Sequence, residues 1–62
     1  MNNELYSYDT YLGYDIFIEE DHGVYYGSIY KNKELLKSCV RVDTAEGCLT
    51  KCMYLIDVWE GE

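Results

Sequence analysis

The chain has 62 residues, of which 48% are apolar and 16% aromatic, eight of them Tyr. That composition excludes a disordered chain and points to one packed, β-rich core, while a chain this short buries only about 60% of its unfolded surface and folds with a thin margin. A formal charge of −7 works against direct binding to nucleic acid or an anionic membrane, and no apolar run approaches the roughly 20 residues of a membrane-spanning helix. Met1-Asn2-Asn3-Glu4 has neither basic residues nor an apolar block behind it, so it does not read as a signal peptide. The expectation is a soluble, cytoplasmic protein of one domain, residues 1–62.

The acids are unevenly placed. Residues 1–30 carry −6, residues 31–41 carry +3 and residues 42–62 carry −4. Such a field keeps a small protein in solution, and it also attracts basic partners and speeds their encounter.

Residues 1–12 form a Tyr-rich N-terminal segment containing Leu5, Tyr6, Tyr8 and Tyr11. A strand is predicted over Tyr14–Glu19, where β-branched and aromatic residues alternate with polar ones. Glu20-Asp21-His22-Gly23 signals a turn, with Gly23 free to take positive φ. A second strand follows over Val24–Tyr30, a turn over Lys31-Asn32-Lys33-Glu34, and a third strand over Leu35–Val42. Asp43-Thr44-Ala45-Glu46 has the form of a capping box with Asp43 as N-cap, and a helix is predicted over residues 43–59. Ala45, Cys48, Leu49, Cys52, Met53, Ile56 and Trp59 share one face of that helix. Gly47 weakens its first turn by about 1 kcal/mol relative to Ala.

The predicted fold is α+β: a three-stranded antiparallel meander over residues 14–42, one C-terminal helix on one face, and an N-terminal segment that can add a further strand. With Glu19 opposite Val24, and Asn32-Lys33 at the centre of the second turn, the helix covers Ile16, Ile18, Ile29, Leu36, Val40 and Val42. Phe17, Val24, Tyr26, Leu35 and Cys39 then lie on the other face, edged by Asp15, Glu19, Lys37 and Arg41. That face is too apolar to be left to water. Either the Tyr-rich segment closes it, as a flap or a fourth strand, or another molecule does, a second copy included. Tyr suits such contacts because it offers large area at little entropic loss.

Chemistry has little to build on. Cys48 and Cys52 share a helical face, and Cys39 with His22 would complete a zinc set. The alternative is that Cys48 and Cys52 serve as small apolar residues beside Leu49 and Met53. An odd cysteine count argues against a disulfide framework. His22 has no Ser or Cys partner at a nucleophile spacing, and Glu19-Glu20-Asp21 reads as a solvated turn. No phosphate loop or calcium loop is present. The expectation is a non-enzyme without cofactor or metal.

Ile16-Phe17-Ile18-Glu19-Glu20-Asp21, His22-Gly23, Val24-Tyr25-Tyr26 and Asp43-Thr44-Ala45-Glu46 together resemble the N-terminal half of HicB-type antitoxins. There, a strand ending in acids, a Gly turn, an aromatic strand and an Asp-Thr-initiated helix follow in this order. The resemblance spans Tyr14–Val58. The Pro-containing segment usual between the second and third strands is replaced by Lys31-Asn32-Lys33-Glu34, and no DNA-binding domain follows Val58. The resemblance implies a module that neutralises a small RNase. Small acidic phage proteins that block nucleic-acid machinery, anti-CRISPR proteins among them, are similar in size and charge.

From these features the chain is read as a non-catalytic inhibitor that occupies the basic surface of a nucleic-acid-binding protein, as an anti-CRISPR or DNA mimic does. Asp15, Glu19, Glu20 and Asp21 would face the partner, and Phe17, Tyr26 and Leu35 would serve docking or homodimer formation. The rivals are the antitoxin-like module and a structural zinc module using Cys39, Cys48 and Cys52.

Overall fold

Alternating polar and apolar residues, interrupted at short intervals by residues that accept positive φ, fold into a meander. The computed structural model describes residues 4–62, apart from the side chain of Cys39. The signal-peptide reading of Met1–Asn3, the start of the segment 1–12 and the face assigned to Cys39 lie outside the described residues. Strands β1 (Glu4–Tyr11), β2 (Tyr14–Asp21), β3 (Val24–Lys31) and β4 (Glu34–Val42) form one antiparallel sheet in sequence order, and α1 (Ala45–Glu60) follows. The N-terminal segment is thus a fourth strand. Residues 4–11 extend the sheet in its own plane and do not fold over either face.

Each hairpin turns on two residues, Leu12-Gly13, His22-Gly23 and Asn32-Lys33, and all six have positive φ between 51° and 86°. Two consecutive left-handed residues match the twist of the flanking strands, so the turns are tight and the strands long. This corrects the first predicted register. Asp21, not Glu19, lies opposite Val24, which sets Ile16 across from Ile29 and Ile18 across from Gly27. The slip is two residues, an even number, so every side chain keeps its face.

The β3–β4 pairing contains a larger correction. Near the turn Tyr30 faces Leu35, as the Asn32-Lys33 turn requires, but Ile29 then faces Lys37 and Gly27 faces Val40. Two shifts of one residue each bulge β4 between these points. They return Val40 and Val42 to the helix side while expelling Leu36, which is 43% exposed instead of buried.

The helix covers one face only. Tyr14, Ile16, Ile18, Ile29 and Val40 meet Cys48, Cys52 and Ile56 in the core, with Leu49, Met53, Leu55 and Trp59 packed around them. Contact is close because β3 offers Gly27 beneath the helix. A Cβ there would lie 2.6 Å from Cys52 Sγ and 3.0 Å from Cys48 Sγ, both too near. The helix begins later than predicted, with Thr44 as N-cap instead of Asp43: its Oγ1 accepts a 3.0 Å hydrogen bond from Gly47 N. Gly47 is part of this cap, since a Cβ on it would lie 2.8 Å from the Thr44 hydroxyl oxygen.

The C-terminal end of α1 carries Asp57 and Glu60, where the helix dipole disfavours acids. Hydroxyls from the sheet hold both. Tyr11 Oη donates to Asp57 Oδ1 at 2.9 Å and Tyr14 Oη to Glu60 Oε2 at 2.7 Å. Lys31 Nζ lies 3.8 Å from the same Glu60 oxygen and 4.4 Å from the centre of the Tyr14 ring. No described helix is long and apolar enough to cross a membrane. One helix on one sheet makes a slab whose shortest extent is 15 Å, and among the described residues no element covers its second sheet face.

Candidate functional site

Strand alternation delivers Asp15, Phe17, Glu19 and Asp21 to the uncovered face, opposite in direction to the buried Tyr14, Ile16 and Ile18. Across the ladder these residues meet Tyr8, Thr10 and Leu5 on β1 and Val24, Tyr26, Ser28 and Tyr30 on β3. Phe17 is the centre of an aromatic row. The Tyr8 ring lies 4.9 Å from it at a tilt of 34°, and the Tyr30 ring stands 5.5 Å away at 87°, edge to face.

The row borders a shallow open depression of about 430 Å³. Phe17, Tyr30 and Leu5 give its apolar wall, Asp15 and Glu19 its acidic side, and Lys33 reaches it from the β3–β4 turn. The depression exists because Ser28, directly across from Phe17, is small. Asp15 is held in place by Tyr8, whose hydroxyl donates to Oδ1 at 2.7 Å; the carboxylate that shares this proton holds the Tyr8 phenol above its ordinary range.

Of the four acids assigned to a partner, three share this face. Glu20 does not: it lies opposite Tyr25 on the helix side, and its Oε2 accepts from Gly23 N at 2.9 Å, closing the hairpin. Asp21 stands at the end of the face with Oδ1 2.7 Å from His22 Nδ1, the imidazole being 91% exposed at the hairpin tip. Among the apolar residues, Phe17 lines the depression, while Tyr26 lies across from Glu19 and Arg41, and Leu35 across from Tyr30. Tyr30, Tyr8 and Ser28 border Phe17 and were not among the residues that sequence reasoning assigned to this site. Tyr30 could have been found, since it shares the parity of Tyr26 on β3. Tyr8 depends on the β1 register, where a bulge after Leu5 turns Tyr6 toward Tyr25 on the helix side (rings 5.2 Å apart) and leaves Tyr8 on the outer face.

The helix cysteines have the surroundings of core residues. Cys48 Sγ donates to the Val40 carbonyl at 3.3 Å. Burial raises its thiol pKa, and burial with the adjoining Cys48 pushes the Cys52 thiol up to about 12. A zinc ligand must be a thiolate, and these surroundings favour the protonated form. Among the described residues no three His, Cys, Asp or Glu side chains converge on a point that could hold a metal ion. Searches against family models, curated proteins and solved structures return no match to this chain. The functional reading therefore rests on geometry.

Proposed function

We propose that the protein is a small acidic protein-binding module that docks through its uncovered sheet face onto a basic partner. The observation that carries this reading is the aromatic row Tyr8–Phe17–Tyr30, set on a face that no element of the described residues covers and accompanied by Asp15, Glu19 and Asp21. Water-facing sheets alternate apolar inside with polar outside, and a ring row with acids beside it has the make-up of a protein contact, apolar at its centre and charged at its border. A net charge of −7 repels a second copy and draws a basic partner. Clustered Lys and Arg are the electrostatic footprint of nucleic-acid binding, so the partner class is a nucleic-acid-binding protein whose phosphate groove the module occupies in the cytoplasm. A small RNase neutralised by an antitoxin-like module is one member of that class.

The test is affinity capture with the wild-type chain, with Phe17→Ala, and with Asp15→Asn, Glu19→Gln and Asp21→Asn combined. A basic protein held by wild type, released by added DNA or RNA and lost with both variants supports the reading. Retention of the same protein by both variants overturns it, as does a homodimer in sedimentation that Phe17→Ala dissolves.

A further inference from the structure

Resting on that reading of the outer face, we infer that the depression beside Phe17 is a receptor for one arginine side chain of the partner. Three features combine there. Phe17 and Tyr30 stand at 87° and present ring surface to the hollow, Asp15 and Glu19 line it, and Ser28 leaves its floor open. A planar guanidinium stacks on aromatic rings and bonds carboxylates through a fixed fork of donors, whereas an ammonium is a compact, strongly hydrated charge. Tyr8 fixes the Asp15 carboxylate through one hydrogen bond, and a carboxylate has acceptor sites for about four.

The molecule already holds one cation by the same chemistry. On the helix side, Lys31 Nζ sits 4.4 Å from the Tyr14 ring centre and 3.8 Å from a Glu60 oxygen. The outer depression offers a second ring-and-carboxylate arrangement, with two rings and two acids. Lys33, which also lines it, acts as a competing internal cation and tunes the affinity downward.

The probes are capped Gly-Arg-Gly, Gly-Lys-Gly and Gly-citrulline-Gly peptides, titrated into the full chain labelled with ¹⁵N at low salt. The arginine peptide is expected to bind about threefold tighter than the lysine peptide; the neutral citrulline peptide is expected to leave the spectrum unmoved. Shifts should centre on Phe17, Ser28 and Tyr30. Phe17→Leu, which keeps an apolar side chain without a ring, and Ser28→Leu, which fills the hollow while keeping every charge, should each abolish the arginine preference while retaining the dispersed spectrum of a folded chain. Lys33→Gln should tighten arginine binding. Equal response to arginine and lysine, shifts spread over acids elsewhere, or unchanged preference in Ser28→Leu overturns the proposal. If those results come with a basic partner still captured through Phe17, the docking face stands and only the arginine receptor fails.

Discussion

The two faces of the sheet are built from the same strands by alternate residues, and they solve different problems. The inner face is aliphatic, with Ile16, Ile18 and Ile29 sealed beneath Cys48, Cys52 and Ile56. The outer face is aromatic and acidic and half-exposed, and on it the Tyr8 hydroxyl bonds the Asp15 carboxylate. Branched aliphatics fill space without polar atoms to satisfy, so they suit the inside. Aromatic rings with polar tips tolerate water until something covers them. The buried core lies on one side of β2, and the face proposed for docking on the other.

The sharpest way to break this division is to truncate adjacent residues of β2. Ile16→Ala should cost about 3 kcal/mol, enough to unfold much of a domain this small at room temperature. Phe17→Ala should cost only about 1 kcal/mol, the scale of its ring contacts, while removing partner binding. Urea midpoints compare the two; equal losses would mean that the outer row is structural. Next in size, Gly27→Ala should lose about 1–3 kcal/mol by overpacking against the two thiols. Adding Cys52→Ala to it should recover part of that loss, because the methyl then enters the space the sulfur leaves.

A smaller effect tests the helix start. Thr44→Ala should cost about 1 kcal/mol and Thr44→Ser little, whereas Asp43→Ala should stay within about 0.5 kcal/mol; the reverse order would restore Asp43 as the cap. The smallest is a matter of pH. Burial raises the Cys48 and Cys52 thiols, and shared protons raise the phenols of Tyr8, Tyr11 and Tyr14. A group whose pKa is higher in the folded chain adds stability below its unfolded value and loses it as pH rises. Under reducing conditions the urea midpoint should hold steady to about pH 8.5, where unfolded thiols begin to ionise, and fall further above about 10 as phenols follow. Tyr14→Phe should flatten the upper limb.

Much of the inner face could be read from alternation and helical spacing, since burial demands both. Two things escaped. The bulges of β4 have no local signature in Leu35-Leu36-Lys37-Ser38, so Leu36 reads as core although the twisting sheet expels it. The cap shifted from Asp43 to Thr44 because Gly47 has room for the Thr hydroxyl, a fit set by one absent Cβ. On the outer face, Asp15, Phe17 and Glu19 follow from the parity of β2, and Glu20 and Asp21 do not behave alike because the tighter turn carries the strand two residues further. Tyr8 joined the face through pairing with a strand whose edge register no pattern announces.

Every strand pairs with the one made just before it, through turns of two residues, and the chain contains no proline. Closing such short loops costs little entropy, so assembly can run from one hairpin to the next without a distant search. Refolding should accordingly finish in one exponential, on the millisecond scale or faster, with no minutes-long tail from peptide-bond isomerisation.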